Sequence, residues 1–347
     1  MRLLYGAEPG TTAIHLQRAL ERHTRLVVRG PGHPPPEASD DNGDGDPSVW
    51  VESGVEWVPS LEELSPGPAV CWLIDTHRGM GWRSRLAAAF DHAFVAQQDA
   101  VEAVKARGVN GEWLPLAAPA ELAGPGPELA DRPYDFAFVG QRWPGSFRAA
   151  VVDALCEKYS MAPVDGFVPP EKMMDLYRSA RAVVNVPLAN DLNMRTFEAV
   201  AARALLLTGP ASKLDAVLPA GAFVMVQDRD PQAWVDALGR ALGSADAQER
   251  ADEAHHHVIA HHTYDNRAAR VLEVLDDARR SRRPAGARAA ALGAAHARWG
   301  QLGAIGGLPI RPRDRAGLSL EGLAWLGLRK ANDVRRGLPH RVATPRT

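Results

Sequence analysis

A guanidinium and a carboxylate three residues apart, Arg195 and Glu198, stand at the entry of a helix-like run, NDLNMRTFEAVAARALLLTGP, residues 190–210. Positions i and i+3 are neighbours on a helix face, so both side chains can leave on one side. Phe197, Val200, Ala201 and Leu205 then turn to the core. Such a helix start offers a ligand two things. Its free N–H groups, helped by an Arg, hold phosphate oxygens. Its carboxylate accepts hydrogen bonds from a pair of hydroxyls. Asn193 lies at the same entry, and FVGQR (138–142) brings a strand-like run to Gly140 and Arg142. A glycine turn, two arginines and a carboxylate are what a nucleoside diphosphate asks of a protein. The same Arg195 and Glu198 would also suit a surface ion pair, which stabilises little.

A second group lies upstream. LIDTHRGMGWR (73–83) follows a strand-like run and carries Asp75 and His77. These types can act as a base or orient a hydroxyl; Asp75 could equally cap its own loop. Gly6 ends the first strand-like run and permits close backbone approach, with the loop Ala7–Thr12 beyond it. A histidine group, His255, His256, His257, His261 and His262, invites a metal reading through the i, i+4 pair His257 and His261. No H-E-x-x-H carboxylate motif accompanies it, so the expectation is no metal. Asp40, Asn42, Asp44 and Gly45 resemble the start of a calcium loop, but Val51 stands where the bidentate Glu should be.

The elements that must position these residues alternate between strand and helix. Strand-like runs are 2–6, 25–30, 69–75, 92–97 and 112–116, with helical stretches at 11–23 and 99–108. The Ala, Pro and Gly-rich stretch 118–133 reads as a linker. A second series follows, with strands at 134–140, near 164–168, 181–188, 204–209 and 222–228. Its helices are 146–159, 170–180, 194–203 and 231–242. This alternation predicts an α/β protein of two doubly wound, Rossmann-like domains facing a cleft. The domains are 1–117 and 134–283, followed by a basic extension 284–347. The segment 31–48 reads as a surface loop, and 318–333 as a helix that docks or dimerises.

The bulk numbers narrow the classes. In 347 residues, 46% are hydrophobic and 24% charged, the balance of a globular protein. No run approaches the roughly 20 apolar residues of a membrane helix. The N-terminal MRLLYGAEPG is too short in apolar length for a signal peptide and reads as a strand. Cys71 and Cys156 both sit in apolar segments and read as reduced core residues, which fits the cytoplasm. From Arg279 to the end, 15 Lys/Arg stand against 3 Asp/Glu, a local +12 in a chain of net charge −2. A basic tail suits nucleic acid or anionic lipid, or simply a solvated Arg-rich surface.

The segment Asp135 to Arg270 resembles the donor-binding half of GT-B glycosyltransferases, above all the CgeB-like group. The N-x-R-x-F-E-A signature is carried by Asn193, Arg195, Phe197, Glu198 and Ala199. Val139-Gly140 matches a strand ending in Val-Gly. Gly166, Val168 and Pro169 match a G-x-V-P turn, and Met174 and Tyr177 the helix after it. VVNVP and the late His262, Thr263, Tyr264 and Arg267 complete the order. In the first domain the resemblance is confined to DTH (75–77), FVAQQDAV (94–101) and WLPLAA (113–118).

The resemblance implies an enzyme that moves a sugar from a nucleotide-sugar donor to an acceptor. The acceptor is a small molecule, glycan or protein. It further implies that Glu198 holds the ribose hydroxyls, while Arg195, Arg142 and N–H groups near Asn193 hold the diphosphate. Asp75, His77 and the loop after Gly6 would face the acceptor. No cofactor and no metal are implied, the nucleotide-sugar being a co-substrate. The chain departs from the retaining enzymes in having Arg148 as the next basic residue after Arg142, and a single Glu in place of a spaced pair. Inversion or retention therefore stays open. Competing readings are a non-catalytic nucleotide- or sugar-binding protein of the same bilobed shape, a nucleotide-sugar epimerase, and a nucleic-acid binder working through the tail. The tail is also a candidate for homodimer formation.

Overall fold

The apolar runs become strands, and every strand pair is parallel, the arrangement that buries a sheet on both faces. The computed structural model describes residues 1–303 apart from 9, 35–44, 54–56, 65, 66, 165 and 281. Residues Asp40, Asn42 and Asp44 of the calcium-loop reading, and the segment 318–333, lie outside the described residues.

The first sheet is built from β1 (Arg2–Leu4), β2 (Val27–Arg29), β3 (Ser48–Val51), β4 (Ala69–Leu73), β5 (His92–Val95) and β6 (Asn110–Trp113) in the order β2-β1-β3-β4-β5-β6. The helices α1 (Thr12–Glu21), α2 (Leu61–Leu64), α3 (Gly81–Ala87) and α4 (Val101–Lys105) connect them. Strand β3 was absent from the sequence reading, yet it pairs with both β1 and β4 near the middle of the sheet. Its four residues are fully buried, but they abut a segment rich in Pro, Gly and Asp that masks a short run.

The second sheet has the order β10-β9-β8-β7, from β7 (Tyr134–Ala137), β8 (Ala180–Asn185), β9 (Leu205–Thr208) and β10 (Phe223–Met225). Around it lie α5 (Phe147–Cys156), α6 (Pro170–Arg178), α7 (Met194–Ala201), α8 (Leu214–Val217), α9 (Pro231–Leu242) and α10 (Ala247–His261). Ser146 caps α5 by accepting from Ala149 N, and Asp230 caps α9 by accepting from Gln232 N. Pro170 and Pro231 open their helices, where a missing N–H costs nothing. The strand expected near 164–168 does not form. Met161 instead makes an isolated bridge to Phe136. Pro163, Pro169 and Pro170 lack the donors a ladder needs.

The chain then returns. α11 (Tyr264–Ala278) packs on α1 of the first unit, although the sequence reading put these residues in the second domain. The crossing is fixed by hydrogen bonds. Ala118 N donates to His262 O at 2.9 Å and Tyr264 N to Ala118 O at 3.0 Å. Arg267 donates to the carbonyls of Pro115 and Leu116 at 2.7 and 3.1 Å. Helix α12 (Ala285–Gly303) continues onto the first unit, where Leu292 and Ala295 enter the core beside Trp82 and Phe90. Residues 284–295 of the basic extension are thus part of the first unit. Cys71 is buried on β4, but Cys156 is exposed at the end of α5, outside the core where the sequence reading placed it.

Candidate active site at the domain junction

Strand β8 ends in Asn185, which is fully buried and organises the mouth of the second sheet. Its Nδ2 donates to Thr196 Oγ1 and Thr208 Oγ1, each at 3.3 Å. Its Oδ1 accepts from Asn193 Nδ2 and Arg195 Nη1, each at 3.1 Å. A buried amide with both ends satisfied is rigid, so the start of α7 is fixed relative to the strand ends.

Arg195 reaches from α7 to β7. Its Nη2 donates to Val139 O, and its guanidinium lies over the Phe138 ring at 5.0 Å. Gly140 makes room for it: a Cβ there would stand 2.6 Å from Arg195 Nη2. The Val-Gly strand end is therefore a cradle for this arginine. Glu198, one turn further along α7, is only 4% exposed. Burial pushes its carboxyl up to about 7, against the pull of His15 and Arg195.

Arg195 and Glu198 line a cavity of about 380 Å³ at the junction of the two units. Arg148 of α5 and Asn193 join them, with Phe167, Val168, Pro170 and Met173 as an apolar wall. From the first unit come Gly10 and His15. The cavity offers two carboxylates, Glu198 and Asp191, two guanidiniums, a helix start and a flat apolar face. Arg148 donates to Val186 O at 3.1 and 2.6 Å and to Gln141 O at 3.3 Å. Burial and the neighbouring Arg195 lower its pKa, while Asp191 opposes them.

Arg142, named from the sequence, is not among the residues lining this cavity. It is exposed and pairs with Asp153 of α5 at 3.6 Å. Arg148 stands in the cavity instead. The difference is one of helix geometry: Arg142 precedes α5 and points along its outer face, whereas Arg148 lies in its first turn.

Two smaller cavities adjoin. One, of about 240 Å³, is lined by Glu8, Thr11, Thr12, Glu52, Ser53 and Asp75 among others. Gly6 lies behind it, donating its N–H to Ser53 Oγ at 3.2 Å. The other, of about 330 Å³, brings His77, Gln97 and Asp99 of the first unit against Asn190, Asp191 and Ser212 of the second. Burial pushes the Asp191 carboxyl up; His77 pulls it down and Asp75 pushes it up again. His77 thus faces Asp191 across the cleft, while Asp75 lines the 240 Å³ cavity. The Asp75 side chain makes no capping bond to the turn Thr76–Arg78. The loop is held from beneath by Glu52, whose Oε2 accepts from Ile74 N at 2.8 Å and Asp75 N at 3.1 Å.

His15, Glu52, Gln97 and Asp191 were missed in the sequence. His15 and Glu52 lie in no motif; Gln97 falls within FVAQQDAV and Asp191 within the run 190–210, but only the fold shows that they meet at the cleft. The histidine group does not form a site: among the described residues, no three or more His, Cys, Asp or Glu are grouped to hold a metal. His262 packs at 5.5 Å from the Phe197 ring and sits 2.9 Å from Arg267 Nη2. Burial, Arg267 and the neighbouring histidines lower its pKa to about 3.

With this geometry in hand, comparison with known proteins is informative. Residues 123–273 match the family described as glycosyl transferase-like. Over 135 residues the chain is 28% identical to the D-inositol 3-phosphate glycosyltransferase of Corynebacterium urealyticum; the match spans 38% of this chain and 32% of that one. The fold resembles that of Anabaena HepE solved with UDP and glucose, at 10% identity and a TM-score of 0.54, over 80% of this chain and 99% of that one. It also resembles an α,α-trehalose-phosphate synthase (UDP-forming) from Burkholderia vietnamiensis, at 12% identity and a TM-score of 0.55, over 80% and 99% of the two chains. Among the described residues, no helix is long and apolar enough to cross a membrane. Residues 123–273 thus carry the glycosyl transferase-like match, and the two-unit fold is that of the solved structures it resembles.

Proposed function

We propose that the protein transfers a sugar from a nucleoside-diphosphate donor to a hydroxyl-bearing acceptor. The observation that carries this reading is the 380 Å³ cavity, which joins Glu198, Arg195 and Arg148 within the glycosyl transferase-like segment. Glu198 accepts from the ribose hydroxyls. The apolar wall of Phe167, Val168, Pro170 and Met173 takes the base. Arg148, Arg195 and the N–H groups at the start of α7 take the diphosphate, assisted by the backbone at Gly140. Arginines placed where negative charge grows on the leaving diphosphate stabilise the transition state. No metal or other cofactor is invoked, because the guanidiniums and helix start supply that positive charge. Arg142, exposed on the far side of α5, has no part in this scheme.

The acceptor enters from the first unit, along the two smaller cavities. His77 or Asp75 takes the proton of the attacking hydroxyl, and Asp191 sets the charge around them. We place the enzyme in the cytoplasm, in keeping with its two free cysteines. The CgeB-like subgroup, carried by Asn193, Arg195, Phe197, Glu198 and Ala199, and a homodimer formed through the tail belong to the same proposal.

Thermal unfolding with UDP, GDP, TDP, ADP and CMP at millimolar concentration tests the donor site. A ligand at about 100 times its Kd adds about 2.7 kcal/mol of stability, a shift of several degrees. A shift with one nucleotide, followed by release of that nucleotide from its sugar donor in the presence of an acceptor, supports transfer. Nucleotide binding with no acceptor-dependent turnover overturns it in favour of a binding protein.

A further inference from the structure

His15 lies on α1, in the first unit, yet it lines the same cavity as Glu198 of the second. It is 1% exposed, and neither ring nitrogen has a hydrogen-bond partner. A buried imidazole without partners is costly unless something fills that need. Stacking on Tyr264, at a centroid distance of 5.3 Å, fixes the ring plane. Nδ1 faces the Glu121 carboxylate at 3.8 Å. Burial raises the Glu121 carboxyl, but the facing His15, its own backbone and Arg18 bring it down to about 2, so it is charged at neutral pH. A carboxylate on the Nδ1 side favours the proton there and leaves the Nε2 lone pair free to accept.

We propose that His15 is a specificity residue of the donor site: its Nε2 and the Glu198 carboxylate each accept one hydroxyl of the ribose diol, so the site selects ribonucleotide donors over 2′-deoxyribonucleotide donors. This rests on the donor-site reading above. Two buried acceptors, one from each unit, match the two O–H donors of a ribose. A deoxyribose supplies one, and leaves a buried acceptor unpaired. Sites built to bond a hydroxyl reject analogues that lack it far more strongly than sites built on shape alone. The same contact ties the donor to both units at once, since α1 and α7 belong to different sheets.

The test is isothermal titration of the full-length protein with the pairs UDP and 2′-deoxy-UDP, GDP and 2′-deoxy-GDP, and ADP and 2′-deoxy-ADP. The wild type is expected to bind one ribonucleotide at least about tenfold more tightly than its deoxy partner. His15→Phe keeps the stacking on Tyr264 and removes both nitrogens; His15→Gln restores an acceptor. His15→Phe is expected to weaken the ribonucleotide about tenfold and bring the ratio of the pair towards one, with His15→Gln in between. Equal wild-type affinity for the two members of the pair overturns the inference, and needs no variant. So does a full ratio in His15→Phe when Glu198→Gln abolishes binding, a result that leaves the donor site standing. Failure of the wild type to bind any of the ribonucleotides overturns the donor site and the inference together.

Discussion

Gln97 of the first unit grips the backbone of Leu192 in the second with both ends of its amide. Its Oε1 accepts from Leu192 N at 2.9 Å and its Nε2 donates to Leu192 O at 3.3 Å. Gln97 is 5% exposed and follows β5; Leu192 precedes α7. This is how a strand end in one unit sets the position of Asn193, Arg195 and Glu198 in the other. Gln97→Ala would leave a buried N–H and C=O without partners, at about 1–3 kcal/mol each. The expected result is a Tm lower by several degrees and a KM for the donor raised about tenfold, with kcat changed less. Thermal unfolding and steady-state kinetics on the same variant check it. An unchanged KM would show that the loop keeps its position without the clamp.

Glu52 is the corresponding device on the acceptor side. It is fully buried with Arg83, whose Nε donates to Oε1 at 2.7 Å, and its other oxygen holds the Ile74 and Asp75 N–H groups. Desolvation raises its pKa, while Arg83 pulls it down. Removing one member of a buried pair costs about 3–5 kcal/mol, because the other charge is left alone. Glu52→Ala is therefore expected to lose that much in urea unfolding, and Glu52→Gln less. In the Gln variant, nucleotide affinity should be kept while transfer falls, since only the Asp75–His77 loop is loosened.

Glu198 gives the donor site a pH dependence whose sign follows from burial. Its carboxyl is held up to about 7, against the ordinary 4.5. As the carboxylate it accepts from hydroxyls with both oxygens; protonated, it loses part of that capacity. Arg195 on α7 favours the charged form. Nucleotide affinity should thus rise as pH increases through about 7 and level off above it. Below that pH it should fall by up to tenfold per unit, the limit for one proton. For folding the sign is opposite. A carboxyl whose folded pKa is raised binds its proton more tightly in the folded state, so its contribution to stability declines between pH 4.5 and about 7. Titrations of Glu198→Gln at several pH values check the assignment: the variant should bind weakly at every pH, without the rise.

The two arginines near the first strand of the second sheet should behave differently. Arg148 lines the cavity beside Arg195; Arg142 pairs with Asp153 on the outside. An exposed pair of that kind is worth at most about 1 kcal/mol. Arg142→Ala should leave nucleotide affinity and Tm within error. Arg148→Ala should weaken nucleoside diphosphates by about 2 kcal/mol, within the range for a charge-assisted contact, while binding of the bare nucleoside changes little. Equal losses for diphosphate and nucleoside would place Arg148 at the base or in the scaffold instead.

The sequence spoke most clearly where chemistry and backbone coincide. Arg195 and Glu198 could be placed on one helix face because i, i+3 spacing needs no tertiary information. Gly140 was legible as a strand end, though the reason for it, the passage of the Arg195 side chain, was not. Parallel strands show as apolar runs, so most of both sheets could be read. Strand β3 escaped because four buried residues beside a Pro- and Asp-rich segment give too short a signal. His15, Gln97 and Asp191 escaped for another reason: each acts across the junction, and no local pattern encodes which residue of one unit meets the other. The return of α11 and α12 to the first unit is long-range in the same sense.

That return changes what the basic extension does. Asp91, just before β5, takes three hydrogen bonds: Ala69 N at 2.8 Å and Arg288 Nη2 at 2.6 Å on Oδ2, and Arg283 N at 2.6 Å on Oδ1; the chain is held further by Arg288 Nη1 donating to Gly67 O at 3.0 Å. Arg288 and Asp91 are both buried. The tail's Arg288 is thus held inside the first unit, where Leu292 and Ala295 bury apolar surface next to α3. Truncation after residue 283 should therefore destabilise the protein rather than merely strip a surface charge. Asp91→Ala is expected to cost about 3–5 kcal/mol, for the same reason as Glu52→Ala. Truncation after residue 303, which keeps α12 and the Arg288–Asp91 pair, should cost less than truncation after residue 283. Urea unfolding of the three variants separates the roles, since a tail that only meets solvent or nucleic acid would leave all truncations as stable as the full chain.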